Sequence, residues 1–172
     1  MKPGITVGLV TTLGMMVGWM VPSAQAKPIG LYESYVGVGA AGALAEGGQG
    51  YDERQAAVAF QGRFAIPKAS MSVRASAMVS EASTVLVPTV TLDVPVARGT
   101  NLYAGAGYSI PFKTKNASVL GNRNAAIING GIESAVSSDL LLYGDVKWGI
   151  DAYKNSSADS VSVSAGVGFR FK

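Results

Sequence analysis

The sequence predicts an all-β chain, an eight-stranded antiparallel up-and-down barrel, and three observations carry that reading. Eight successive stretches between Glu33 and Phe171 alternate apolar and polar side chains, the period of a strand, whose successive residues point to opposite sides of a sheet. In every stretch the apolar parity holds no Asp, Glu, Lys or Arg, although a chain that is 15% charged would place several there by chance. Between the stretches, short connections take turns with long ones, as they do when consecutive strands pair around a closed sheet.

The chain opens on an export signal. Lys2 gives a short positive region, Ile5 to Val21 an apolar run, and Ala24-Gln25-Ala26 a small-x-small cleavage site; together these define a secretory signal peptide over residues 1–26. The run is shorter than the roughly 20 residues of a spanning helix, and Pro22 ends it. Residues 27–172 are then one domain.

The first stretch, Glu33 to Leu44, is rich in Gly and Ala, and its faces are set only by Glu33 and Tyr35 against Val36, Val38 and Leu44. In the second, Val58, Phe60, Phe64 and Ile66 oppose Gln61 and Arg63; in the third, Met71, Val73, Ala75, Ala77 and Val79 oppose Ser72, Arg74 and Ser76. Leu86, Val90, Leu92, Val94 and Val96 then alternate with Thr89, Thr91 and Asp93. Pro88 and Pro95 lie in this stretch, and because a proline has no ladder donor they predict a bulge or a frayed end. Leu102 to Ile110 oppose Tyr103, Gly105, Gly107 and Ser109; Ala126, Ile128, Ile132 and Val136 oppose Asn129 and Glu133. Leu140, Leu142, Val146, Trp148 and Ile150 oppose Tyr143, Asp145 and Lys147, and Val161 to Phe171 oppose four polar residues and two glycines, ending at Arg170.

Alternation does not say which face looks outward, and the polar parity decides it. A water-facing surface is about a quarter to a third charged, whereas this parity is mostly Ser, Gly, Thr, Ala and Asn, small enough for a narrow lumen. Its charges also balance, with Arg63, Arg74, Lys147 and Arg170 against Glu33, Asp93, Glu133 and Asp145, which is what withdrawal from bulk water demands. Counting the hairpin across Glu81 to Thr84 brings Arg74 close to Thr91 and diagonal to Asp93, within reach of a pair. With the first strand rising from the periplasm, Phe64, Phe169 and Phe171 fall at the lower rim of the apolar face and Tyr108 and Trp148 at the upper one, as aromatic belts do. The links Ile66 to Ala69, Val96 to Thr100 and Val136 to Leu140 are then periplasmic turns. Ala45 to Gln55, Pro111 to Arg123 and Ala152 to Asp159 are outer loops, and Glu81 to Thr84 is a short exception. The fold class is therefore an eight-stranded antiparallel up-and-down transmembrane barrel.

The signal peptide, the eight amphipathic strands, the alternation of short and long connections and the ending Val167-Gly168-Phe169-Arg170-Phe171-Lys172 resemble the small eight-stranded outer-membrane proteins of the outer-membrane protein A, outer-membrane protein X and opacity-protein type. The resemblance covers the whole of residues 27–172 and implies an outer-membrane location and recognition by the barrel assembly machinery. It departs from that family in ending on Lys172 rather than on the aromatic itself, and in having no periplasmic peptidoglycan-binding domain.

Several chemistries are excluded or weakened. No Cys is present, so there is neither disulfide nor thiolate metal ligation. The net charge of +3 comes with no basic run interleaved with aromatics, so no nucleic acid is expected. Gly37-Val38-Gly39-Ala40-Ala41-Gly42 spells a dinucleotide fingerprint, but the phosphate needs a following helix, and loop and strand follow instead; no cofactor is expected. The barrel enzymes of the outer membrane resemble one another in using a catalytic histidine, and this chain has none. A serine such as Ser72 or Ser164 with Lys147 as base is the remaining arrangement, and a carboxylate beside Lys147 would keep that base protonated. The chain is read as a non-enzyme without cofactor or metal.

The expected role is structural or surface-interactive, as a monomer in outer-membrane lipid. Lys113, Lys115 and Arg123 in the Pro111–Arg123 loop form a basic group able to meet lipopolysaccharide phosphates, and deletion of that loop is expected to leave folding intact. Two alternatives stay open. Gly37, Gly39, Gly105, Gly107, Gly166 and Gly168 on the inner parity would leave the lumen thin enough for a narrow or gated small-solute channel, and a soluble periplasmic ligand-binding barrel would invert the faces.

Overall fold

A computed structural model describes residues 30–44, 55–81, 83–112, 118–154 and 156–171, with Pro67 described in its backbone alone. Residues 1–26, expected from the sequence to be a signal peptide, and Lys113, Lys115 and Lys172 lie outside the described residues. The strands are β1 (Ser34–Ala43), β2 (Ala56–Ile66), β3 (Met71–Val79), β4 (Thr84–Ala97), β5 (Thr100–Phe112), β6 (Ala125–Ala135), β7 (Leu140–Ile150) and β8 (Ser160–Phe171). Each pairs antiparallel with the next, and β1 pairs with β8 to close the barrel. Closure gives every strand two hydrogen-bonded neighbours and leaves no sheet edge.

The wall is staggered. Tracing ladder partners from Tyr35 through Arg63, Arg74, Thr89, Gly107, Ile127 and Gly149 leads to Ser160, ten residues from Arg170, the partner of Tyr35 across the seam. Such a shift tilts the strands by about 40° and sets the bore. The prolines act as their chemistry requires. The β4–β5 ladder lacks partners at Val87 and Pro88 and shifts register between Pro95 and Ala97, a bulge where proline has no N–H to give.

The faces sort by parity. Phe64 and Phe169 are 67% and 63% exposed on the outer wall, while Arg63 and Arg74 are 4% and 2% exposed inside. Tyr108, Trp148 and Phe171 are exposed as well. An apolar outside around a polar inside is the arrangement of a barrel immersed in lipid and the reverse of a soluble carrier. This corrects the soluble periplasmic alternative.

At the lower end, the turns are a 3-10 turn at Pro67–Ala69, the Arg98–Gly99 hairpin with Gly99 at φ 70°, and residues 136–139. At the upper end β3 meets β4 through Ser80–Ser83, closed by the Ser80 N–H donating to the Ser83 carbonyl at 2.8 Å. The ladder therefore places Arg74 opposite Thr89, two residues from the Thr91 expected, because the turn begins at Ser80 rather than Glu81.

Candidate functional site: a lumen closed at both ends

β2, β3, β4 and β6 aim four charged side chains at one another in the lower lumen. Arg63 reaches Asp93 and Glu133 at 2.9 Å each, and Arg74 reaches the other oxygens of the same two carboxylates, also at 2.9 Å. Each guanidinium bridges both acids, so the four charges make a closed, neutral ring. Further donors and acceptors complete it. Arg63 Nε donates to Ser72 Oγ at 2.8 Å, Ser72 Oγ donates to Asp93, and Arg74 Nε donates to Thr91 Oγ1 at 3.0 Å. Tyr35 Oη accepts from Arg74 Nη1 at 3.1 Å and from Gln61 Nε2 at 2.7 Å, and the Arg74 guanidinium lies 3.7 Å from the centre of the Tyr103 ring. A buried charge costs several kcal/mol unless paired and hydrogen-bonded, and this ring meets both conditions.

Tyr103 connects the ring to a second pair. Its hydroxyl donates to Asp145 at 3.1 Å, and Lys147 Nζ donates to both Asp145 oxygens at 2.7 and 2.6 Å. Ser164 donates to the same carboxylate at 2.5 Å. Arg170 and Glu33 form the third pair, 3.0 Å apart at the lower rim and partly exposed. Ser164 and Ser72 are thus both committed to carboxylates, and Lys147 Nζ is engaged by both oxygens of Asp145. This geometry is the opposite of an activated serine.

Above the charges the lumen changes character. Ala41, Ala59, Met78, Val85, Val87 and Ile127 form one apolar cluster with Val119 and Leu120. The last two come from the loop after β5. The Ser118 and Gly121 backbones exchange hydrogen bonds at 2.8 and 2.9 Å, Gly121 takes φ 89°, and the tight turn between them drives Val119 and Leu120 into the mouth. The Asn122 and Arg123 N–H groups both donate to the Ala152 carbonyl at 3.1 Å, which fixes the turn to the β7–β8 loop. Part of the loop read as a surface feature is therefore core. The expectation that deleting Pro111–Arg123 leaves folding untouched is corrected, since it would remove two fully buried side chains.

The lower mouth is closed as well. Leu31 packs with Tyr35, Leu141 and Tyr143, and the Tyr35 and Tyr143 rings stack at 6.0 Å. The inner glycines are not gaps: a Cβ on Gly37 would stand 2.8 Å from Tyr143 Cε1, and one on Gly168 2.9 Å from Tyr35 Cδ2. Tyrosine rings fill the space beside Gly37, Gly166 and Gly168, while a Cβ on Gly39, Gly105 or Gly107 would run into a carbonyl of the neighbouring strand, so these glycines do not thin the lumen as the channel argument needs. The fingerprint of Gly37 to Gly42 is simply β1 wall.

At the outer rim Arg123 pairs with Asp151 at 2.8 Å with both side chains about half exposed. Beside it, Tyr108, Pro111, Asn122, Arg123, Asn124 and Lys154 line a depression of about 380 Å³. Lys154 is a cation that the sequence reading did not include. Among the described residues no group of His, Cys, Asp and Glu is arranged to hold a metal ion.

No protein-family model matches the chain, and no curated protein matches it in sequence. Solved structures do. Ail, the attachment invasion locus protein of Yersinia pestis, in complex with the heparin analogue sucrose octasulfate, aligns with a TM-score of 0.56 at 16% identity, over 81% of this chain and 98% of that one. The N-terminal β-barrel domain of Pseudomonas aeruginosa OprF gives 0.54 at 13% identity over 81% and 98%, and neisserial surface protein A gives 0.53 at 15% over 80% and 97%. With its closed eight-stranded antiparallel ring, the chain thus has the fold of the small eight-stranded outer-membrane β-barrels.

Proposed function

We propose that this chain is an integral outer-membrane barrel with a structural and surface-interactive role, exported by its signal peptide and assembled as a monomer. The observation that carries the reading is the combination of an apolar outer wall with a lumen whose charges neutralise one another and whose mouths are both filled. A lumen packed in that way conducts nothing large, so the work falls to the outer rim and to the wall itself. Enzymatic activity is not part of the proposal, because the serines and the lysine that could have supplied it are held in carboxylate pairs.

Surface contact is assigned to the basic rim, where Lys154 joins Arg123 and, in sequence, Lys113 and Lys115. Ammonium and guanidinium groups at headgroup level suit the phosphates of lipopolysaccharide or the sulfates of a polyanionic glycan. Ail, in the structure named above, carries a heparin analogue, and that similarity of fold makes a sulfated sugar worth including as a probe. The test has two arms. Carbonate-resistant fractionation with the outer membrane, and bilayers without porin-sized openings, are expected of the barrel. Weakened lipopolysaccharide retention by an Arg123→Gln, Lys154→Gln double variant is expected of the rim. Carbonate extraction or steady large conductance would overturn the first, and unchanged retention the second.

A further inference from the structure

We propose that the lower mouth of the barrel is a peptide-binding site that reads a Gly-Leu segment, and that Gly30 and Leu31 of the chain itself occupy it as a stopper. These residues precede β1 and belong to no ladder. Terminal segments outside a ladder ordinarily fray unless tied down, yet Leu31 is 1% exposed.

What ties it down is specific. The Asn101 carboxamide takes both sides of one residue: its Oδ1 accepts from the Leu31 N–H at 3.0 Å, and its Nδ2 donates to the Leu31 carbonyl at 2.7 Å. Arg63 adds two more N–H groups to that carbonyl, at 3.2 and 3.1 Å. The leucine side chain enters the pocket of Tyr35, Leu141 and Tyr143. At position 30 a Cβ would stand 2.6 Å from Asn101 Oδ1 and 2.8 Å from Pro95 Cβ, so only glycine fits. A glycine, then an apolar side chain whose own N–H and C=O are both read: these are the selection rules of a peptide site.

The site is made of wall residues on β2, β4, β5 and β7, with Tyr35 from β1, and none of them depends on a covalent link to residues 30–31. A free peptide with the same pattern therefore fits. Attachment in cis holds the segment at an effective concentration on the order of millimolar, so the intact chain keeps its own site filled. The stopper lies against Arg63, and a cavity of about 20 Å³ already adjoins Leu31, Arg63, Asp93 and Asn101. Expelling the segment would expose the edge of the charge ring to water.

The test compares barrels refolded from a chain beginning at Lys27 and from one beginning at Tyr32, reading the Asn101 carboxamide and Arg63 guanidinium by NMR. The probe is the amidated peptide Lys-Pro-Ile-Gly-Leu, residues 27–31. Both signals are expected to shift in the shorter chain and to return saturably as the peptide is added, while the same peptide carrying Leu31→Asp has no effect and the intact chain ignores either. Identical signals in the two chains, failure of the peptide to restore them, or equal action by the Leu31→Asp peptide would overturn the proposal. If the shorter chain does not fold, Gly30→Val in the longer one replaces it. Its expelled segment is expected to give the same shifts and leave the site open to the peptide, and unchanged signals there would be equally fatal.

Discussion

The lower half of the lumen is built on ion pairs beneath which Leu31, Leu141 and two tyrosines close the mouth, and toward the long loops the lumen is packed with hydrocarbon. Arg63, Arg74, Asp93 and Glu133 anchor the lower half, and Met78, Val85, Val87, Ile127, Val119 and Leu120 the upper. The outer wall shows no such division, being apolar from Phe169 to Trp148. Lipid accepts one kind of surface, so the outward parity is uniform. An enclosed lumen accepts any packing that satisfies itself, whether charges that cancel or side chains that carry none.

The largest effect is expected from breaking the lower half. Glu133→Gln leaves Arg63 and Arg74 sharing one carboxylate and should cost about 3 to 5 kcal/mol in urea unfolding from micelles. Replacing Arg74 by Met in the same chain should restore part of that loss, because the ring returns to one charge of each sign. Strict additivity of the two substitutions would show that they do not interact. In the upper half Leu120→Ala, which removes a fully buried side chain, should cost about 2 to 5 kcal/mol with no dependence on ionic strength. That salt independence is shared by the enclosed ring and so separates both from the rim.

On the outer wall, Val73→Arg and Ala106→Arg should each cost about 2 to 4 kcal/mol in bilayers and far less in aqueous micelle edges. Neutrality at both would place the apolar face out of lipid. The smallest effect belongs to the half-exposed pair at the outer rim. Asp151→Asn should change stability by about 1 kcal/mol or less, and added salt should erase the change.

The sequence made the outer wall legible almost to the residue, because lipid tolerates no exception there: Val161 to Phe171 on the odd positions are the outward face of β8. The inner parity was legible only where it carried charge. Met78, Val85, Val87 and Ile127 all stand on the polar parity, crowded toward the ends of β3, β4, β6 nearest the long loops, and that crowding was the available signal for an apolar upper lumen. Alternation counted as period two passes over them as noise. Of the ion pairs, Arg74 with Asp93 was legible and is formed, whereas the bridging of both arginines to Glu133 was not. The Arg74 register came out two residues away because a hairpin turn at Ser80–Ser83 was counted as Glu81–Thr84, and the arginine still meets Asp93 because its long side chain leans along the strand. Nothing local in Leu31 or in Val119-Leu120 marks them as stoppers, since both depend on a mouth that exists only after the barrel has closed.

The central claim is that the wall separates lipid from an enclosed lumen residue by residue, and spin labels along β8 test it most directly. Nitroxides placed singly at positions 161 to 169 of the barrel in bilayers should show oxygen accessibility with a period of two, high at Val161, Val163, Ala165, Val167 and Phe169. At Ser162, Ser164, Gly166 and Gly168 it should be low, with little access for a water-soluble nickel reagent at either set. High nickel access at the odd positions, or the loss of the period altogether, would contradict the account.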